Sequence, residues 1–272
     1  MPELPEVETT CRSISAWALG RRIDTVVCRR MHLRLPIPED LDERLRHQSL
    51  VAVFRRAKYV LLRFDQDTLL IHLGMSGSLR RAEPHTPLKK HDHVDFIFDT
   101  GTVILRYHDP RRFGLIVWAG QNYQNHPLLA TLGIEPLHPE FTGKWLYQAT
   151  RNRETDIKLF LMDAHRLVGV GNIYASEALF RAGIHPITAA GKLSKTRCER
   201  LCLCVKETLE EALSSGGSTL RDYVDGTGNP GAFQLELKVY GRTDQPCLRC
   251  GTLIRQIKQG QRSTFYCPTC QR

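Results

Sequence analysis

Apolar residues in the first half of the chain come in short runs separated by charged or turn-forming residues. The runs over 23–29, 50–54, 59–64, 69–73, 94–98, 103–107 and 115–118 are rich in Val, Ile, Leu, Phe and Tyr. Runs this short predict β-strands rather than helices, and so many of them predict a sandwich or barrel. Asp99-Thr100-Gly101 joins two of them as a hairpin turn. A helix over about 5–18 comes first. Pro5 suits its first position, where a missing N–H costs nothing, and Gly20 suits its end.

The period changes after residue 130. Residues 157–162, 173–182 and 196–213 space their apolar positions for helices, the last opening on a Thr196…Glu199 capping box. Gly169-Val170-Gly171 makes a tight connection between the first two, as in helix-turn-helix variants that bind DNA. The Gly-rich stretch over 225–231 predicts a mobile loop. The predicted fold is α+β. An N-terminal β-sandwich domain with flanking helices spans 1–132 and a helical domain 133–222. A loop and linker over 223–240 lead to a C-terminal hairpin module over 241–272.

Hydrophobic residues are 42% of the 272, which excludes a chain disordered along most of its length. No apolar run reaches the roughly 18 residues of a membrane span. The opening MPELPEVETT carries three glutamates and no apolar core, so a cytosolic protein without a membrane partner is expected. Lys and Arg outnumber Asp and Glu by 38 to 29, and the net +9 favours a polyanionic partner. From Gly241 to Arg272, six bases less one acid give +5, more than half of that charge.

Nine cysteines and no secretory signal argue against a disulfide framework. Cys247-x2-Cys250 and Cys267-x2-Cys270 stand sixteen residues apart. Each pair can close a turn that aims two thiolates at one ion, and two such turns complete a tetrahedral S4 site for zinc. The alternating segment between them suits a β-hairpin. With all four positions filled by protein, the zinc is structural, and it supplies much of the module's folding energy. Cys198 and Cys202 fall at helical spacing with Leu201, Val205 and Leu209, and Cys11 with Val7 and Ile14, as small core residues.

Removal of Met1 leaves Pro2 as a free secondary amine. Such an amine can attack an aldehyde-like carbon and form an iminium ion, a ready electron sink. Glu3 beside it can carry protons, and Glu6 lies one helical turn further on.

Several strings extend this reading: Pro2-Glu3-Leu4-Pro5-Glu6-Val7-Glu8-Thr9, Arg56-Ala57-Lys58-Tyr59, His72-Leu73-Gly74-Met75-Ser76-Gly77 and His91-Asp92-His93-Val94-Asp95. Asp109-Pro110-Arg111-Arg112-Phe113-Gly114, the segment from Val168 to Glu177, Val239-Tyr240-Gly241-Arg242 and the four-cysteine tail follow in order. Over essentially its whole length the chain resembles the formamidopyrimidine-DNA glycosylase family. The resemblance implies a helix-two-turn-helix middle domain and a β-hairpin zinc finger. It also implies a bifunctional glycosylase and AP lyase that removes 8-oxoguanine and formamidopyrimidines from damaged double-stranded DNA.

By the same resemblance Pro2 attacks C1′, Glu3 acts as acid and base at the sugar, and Lys58, held on a strand, donates a proton in β-elimination. Arg262 does so in δ-elimination. Met75, Arg111 and Phe113 fill and read the space left by an extruded base. His91, Arg153, Asn172 and Arg262 hold phosphates, and Glu6 is grouped with the DNA-binding residues. Arg153 stands where the family often has Lys, which keeps the charge. One structural zinc, no nucleotide cofactor and a bacterial cytoplasmic location at the nucleoid are implied, and a monomer is expected because the DNA-facing surfaces leave no obvious self-complementary apolar patch. The loop over 225–231 is expected to cover the flipped base. Two other readings are the endonuclease VIII-like sister branch, which prefers oxidised pyrimidines, and a DNA-binding zinc protein without catalysis. Leu4 and the Met75, Arg111 and Phe113 set favour the purine branch, and the intact Pro2, Glu3 and Lys58 favour an enzyme.

Overall fold

A computed structural model describes residues 1–216 and 237–272, so the loop expected over 225–231 lies outside the described residues. The chain groups into two compact units, one built on Met1–Ala130 and the other on Thr131–Ser214 with the C-terminal segment.

The first unit begins with α1 (Leu4–Ala18), followed by β1 (Ile23–Cys28), α2 (Leu41–Leu45), β2 (Leu50–Arg56), β3 (Tyr59–Phe64) and β4 (Thr68–His72). Then come β5 (Ser78–Ala82), β6 (Asp92–Phe98), β7 (Val103–His108), β8 (Leu115–Trp118) and the short α3 (Pro127–Ala130). Two antiparallel four-stranded sheets result, in the orders β1-β6-β7-β5 and β2-β3-β4-β8. Val60, Leu62, Leu69 and Ile71 of one sheet join Val26, Phe96, Leu105 and Tyr107 of the other in a single core, with Val7, Cys11 and Ile14 of α1. The period of two turns Leu61 and Leu70 to the opposite face, yet they too are fully buried. A sheet covered on both faces explains why these strands read as continuous apolar runs.

The strand β5 escapes the apolar pattern because Arg80 and Arg81 interrupt it. Arg80 is nevertheless buried, donating to Asp92 at 2.7 Å. At the Asp99-Thr100-Gly101 turn, all three residues take positive φ.

In the second unit α4 (Gly143–Thr150), α5 (Ile157–Leu161), α6 (Asn172–Ala182) and α7 (Lys195–Ser214) precede the hairpin of β9 (Arg255–Gln259) and β10 (Arg262–Tyr266). The helix α6 is buried nearly all round, and Gly183 ends it at φ +65°. The connection between α5 and α6 runs from Met162 to Gly171, longer than the tight Gly169-Val170-Gly171 link expected, with Gly169 at φ +79°. The start of α7 also differs. Lys195 and Thr196 are already helical, and the hydroxyl of Ser194 accepts from the Arg197 N–H at 3.3 Å, so Ser194 rather than Thr196 is the cap. Cys198 and Cys202 are core residues, as expected. No helix among the described residues is long and apolar enough to cross a membrane.

Candidate active site

The amino end of the first unit is held by α1. The Glu6 carboxylate accepts from the Glu3 N–H at 2.8 Å, which fixes the first turn, and Pro2, Glu3 and Glu6 are all buried. Burial lowers the pKa of the amine of Met1, Glu3 and Glu6 oppose that shift, and Lys58 and Arg111 add to it. Two carboxylates and two cations from separate parts of the unit thus act on one amine.

Lys58 reaches this place from a turn rather than from a strand. Arg56 pairs with Tyr59, so Ala57 and Lys58 are the two residues that join β2 to β3. Ala57 takes φ +53°, a left-handed conformation that disfavours a side chain. The Arg55 guanidinium donates to the Ala57 carbonyl at 2.9 Å and pairs with Glu8 of α1 at 3.2 Å, which holds the strained turn against the helix.

Met75, Arg111 and Phe113 form an exposed tip. Met75 and Phe113 are 41% and 45% exposed, unlike the apolar residues around them. The Arg111 guanidinium lies 4.8 Å from the centre of the Phe113 ring. The two loops touch through glycine: a Cβ on Gly74 would stand 2.5 Å from the Gly114 nitrogen. His72, to which the sequence reading attaches no role, supports the same turn. Burial and then the cations Arg34 and Lys58 push its pKa down to about 4. It is therefore neutral at pH 7, and its Nδ1 accepts the Gly74 N–H at 2.9 Å. His91 is half-buried, its ring 6.2 Å from that of His93 and 6.0 Å from that of His108.

In the second unit the fully buried Lys158 of α5 joins two elements that carry site residues. Its Nζ donates to Asn172 Oδ1 at 2.5 Å and to Thr264 Oγ1 at 2.6 Å. Asn172 in turn donates from Nδ2 to the Ser263 carbonyl at 2.9 Å. The first residue of α6 is thereby tied to the strand that Arg262 opens. Arg262 itself is exposed, next to the turn residues Gly260 and Gln261, both at positive φ. Arg151 and Arg153 divide cleanly. Arg151 stacks on Tyr147 at 4.0 Å and donates to the Leu193 carbonyl at 2.8 Å, whereas Arg153 is exposed. Glu177 was also missed by the sequence reading. Its carboxylate accepts the N–H groups of Lys238, Val239 and Tyr240 at 2.9, 3.0 and 2.9 Å. Lys158 leaves a faint signal, a charge inside the otherwise apolar α5, and Glu177 a fainter one in α6, which also carries Arg181.

The four sulfurs of Cys247, Cys250, Cys267 and Cys270 lie within 4.8 Å of one another, with Cys247–Cys270 at 3.9 Å and Cys250–Cys267 at 3.5 Å. A tetrahedron of Zn–S bonds of about 2.3 Å requires sulfurs about 3.8 Å apart, so the cage fits one zinc ion. The N–H groups of Arg249 and Cys270 point at the sulfurs of Cys247 and Cys267, both at 3.4 Å, in the manner of two knuckles. Phe265, Ile254 and Val239 pack with Phe180 of α6 beside the cage.

Three family models match the chain. The formamidopyrimidine-DNA glycosylase N-terminal domain matches residues 1–116, and the H2TH domain of the same glycosylase matches 132–224. The zinc finger found in FPG and IleRS matches 244–272. Formamidopyrimidine-DNA glycosylases of Thioalkalivibrio sulfidiphilus and Thiobacillus denitrificans are 53% and 54% identical over 272 residues, covering all of both chains. Among solved structures, a complex of a Lactococcus lactis FPG mutant with DNA containing Fapy-dG superimposes with a TM-score of 0.92 at 33% identity over all of both chains. The wild-type Lactococcus lactis protein bound to DNA with an oxidised pyrimidine gives 0.91 at 33%, also over all of both chains.

Proposed function

The chain belongs to the formamidopyrimidine-DNA glycosylase family and is a DNA glycosylase acting on damaged DNA, and from that premise we propose that it excises oxidised purines through a Schiff base on Pro2 and then cleaves the strand by β,δ-elimination. The observation that carries this reading is the desolvated amino end beside Glu3, Glu6, Lys58 and Arg111. An amine attacks carbon only through a free lone pair, so an environment that lowers its pKa raises the reactive fraction at neutral pH. Removal of Met1 makes the nitrogen of the buried Pro2, one residue further along beside Glu3, the amine that acts in this reading.

In the proposed sequence, a bond forms from the Pro2 nitrogen to C1′ of the damaged nucleotide as the bond to the base breaks, and the departing base takes up a proton. Glu3 gives a proton to the ring oxygen, and the opened sugar is left as an iminium. Glu3, left as a carboxylate, takes the C2′ proton, the electrons of that bond pass through the iminium to form the enamine, and their return expels the 3′ phosphate, which Lys58 protonates. A second elimination, assisted by Arg262, expels the 5′ phosphate, and water then frees Pro2. Apart from that water, the steps use groups of the chain itself. The zinc holds the hairpin that presents Arg262.

The DNA must bend and give up the damaged base before this chemistry. We assign the filling of the vacated space to Met75 and Phe113 and contact with the widowed base to Arg111, a guanidinium suited to the acceptors of cytosine. Contact with phosphates is assigned to His91, Arg153, Asn172 and Arg262. Glu6 acts at the edge of the DNA site by fixing the turn that carries Glu3. In this division residues 1–132 carry Pro2, Glu3 and Lys58, 133–222 with 241–272 grip the backbone, and 241–272 adds Arg262 to the chemistry. A DNA substrate places the protein in the bacterial cytoplasm at the nucleoid.

Borohydride trapping on a duplex with one 8-oxoguanine opposite cytosine, followed by peptide mapping, tests the proposal. A covalent adduct on Pro2, lost in Pro2→Gly and Glu3→Gln, is expected. Trapping only on an oxidised pyrimidine would move the substrate to the sister branch. No trapping by a zinc-loaded chain that lacks Met1 would leave DNA binding without catalysis.

A further inference from the structure

Asp109 is fully buried, yet it forms no ion pair among the described residues. Its carboxylate is satisfied by neutral donors from different segments. Oδ2 accepts the Gly114 N–H at 2.8 Å and the Tyr107 hydroxyl at 3.3 Å, and Oδ1 accepts the Ser76 hydroxyl at 3.5 Å. Ser76 follows Met75 and Gly114 follows Phe113, so one carboxylate holds both halves of the exposed tip. Its backbone is fixed as well. The Asp109 N–H donates to the His91 carbonyl at 3.1 Å, and the Asp109 carbonyl is 2.8 Å from His93 Nε2.

The loops leave no slack around this group. A Cβ on Gly114 would lie 1.8 Å from the Tyr107 hydroxyl and 2.5 Å from the His72 carbonyl. Arg112, between the two tip residues, takes φ +57°, a conformation that the surroundings must impose. A buried carboxylate without a cation is costly to desolvate, and hydrophobic packing would close a core at less cost. What the carboxylate supplies, and packing cannot, is several directed acceptor positions at one point.

We propose that Asp109 is a positioning residue that clamps the Met75 turn and the Arg111–Phe113 loop into one rigid wedge, so that all three side chains enter the helix stack together. The proposal rests on the assignment of that tip to the space left by the extruded base. A hinged tip would fill the gap and read the opposite base in separate, uncoupled events. A clamped one makes filling and reading a single step.

The test compares Asp109→Asn with Arg111→Ala and with Gly74→Ala, in the full-length zinc-loaded protein. Gly74→Ala leaves the carboxylate intact but places a methyl group 2.5 Å from the Gly114 nitrogen, forcing the loops apart. Excision of 8-oxoguanine opposite cytosine and opposite adenine gives the opposite-base ratio, and borohydride trapping on single-stranded abasic DNA gives the chemistry without a widowed base. A 2-aminopurine opposite an abasic analogue reports the opposite strand on binding. Asp109→Asn and Gly74→Ala are each expected to lower the opposite-base ratio about tenfold, to lose at least tenfold more on duplex than on single-stranded substrate, and to blunt the 2-aminopurine response. If Arg111→Ala shows these losses and neither clamp variant does, the clamp is refuted while the tip assignment stands. If Arg111→Ala shows none of them, the tip assignment itself falls and the clamp with it. Should melting show that Asp109→Asn is unfolded, Gly74→Ala decides alone.

Discussion

The β2–β3 and β9–β10 hairpins are two answers to one problem, the presentation of a cation at a two-residue turn. Lys58 lies in the first turn, and Arg262 directly follows the second. The first hairpin stands on a core of 24 buried residues drawn from both sheets and from α1. The second has six buried residues beside it, two of which are zinc-cage cysteines. A large core can impose a left-handed φ on Ala57 and hold it with Arg55. The small module sets Gly260 and Gln261, both at positive φ, in its turn and relies on a metal cage rather than a large core for support. Packing organises one hairpin and coordination the other.

Zinc removal separates the two most strongly. A structural zinc contributes on the order of 10 kcal/mol to folding. Chelation, or Cys267→Ser, is expected to collapse the β9–β10 amide signals in an NMR spectrum and leave those of β2–β3 in place. Simultaneous collapse of both would show that the first hairpin does not stand on its own core.

The amino end sets a second contrast, because the chemistry proposed for it hangs on one atom rather than on a cage. Inserting an alanine between Met1 and Pro2 moves the secondary amine out of its place. Trapping at 8-oxoguanine is expected to fall at least about a thousandfold while the melting temperature stays put. Retained trapping would mean that Pro2 is not the nucleophile.

A third test concerns His72, whose imidazole titrates at about 4 in the folded chain against an ordinary value of 6.5. Between those values only the unfolded chain takes up the proton, so the native state loses stability as the pH falls from 6.5 to 4, by up to about 3 kcal/mol. Comparing denaturant midpoints at pH 7 and 4.5, His72→Asn is expected to show a smaller acid loss than the parent. An NMR titration of His72 with a midpoint near 6.5 would exclude this account.

Smaller effects probe the second unit. Lys158→Met leaves Asn172 Oδ1 and Thr264 Oγ1 without a charged donor, and a loss of about 2 kcal/mol is expected in denaturant melts. The arginines near α4 give the smallest shift. Arg153→Ala is expected to weaken binding by about 1 kcal/mol and to lower the slope of log affinity against log salt by about one. Arg151→Ala, which removes a stack and a carbonyl contact, is expected to lower the melting temperature and leave that slope alone. The opposite pattern would exchange the two assignments.

Where local pattern and tertiary demand agree, the chain is legible from its residues. The edges of β3 and β8 coincide with their apolar runs, and the paired Cys-x2-Cys turns announce the cage before any coordinate does. Legibility fails where a polar group is buried by partners far away in sequence. Arg80 hides β5 because its partner Asp92 lies on another strand, and Lys158 is only a cation in a short helix until Asn172 and Thr264 are placed around it. Thr196 is displaced as cap because Ser194 is an equally good hydroxyl two residues earlier, and local chemistry does not choose between them.

Residue types and their spacing were enough for the β-rich first unit, the helices, the zinc cage and the Glu3–Glu6 turn at the amino end, because each depends on near neighbours or on a fixed interval along the chain. Folding had to bring together the four charges around the amine, the neutral state of His72 and the carboxylate that joins two loops. These depend on distances between residues separated by dozens of positions. Burial and Coulomb interaction act on such distances, and no local pattern encodes them.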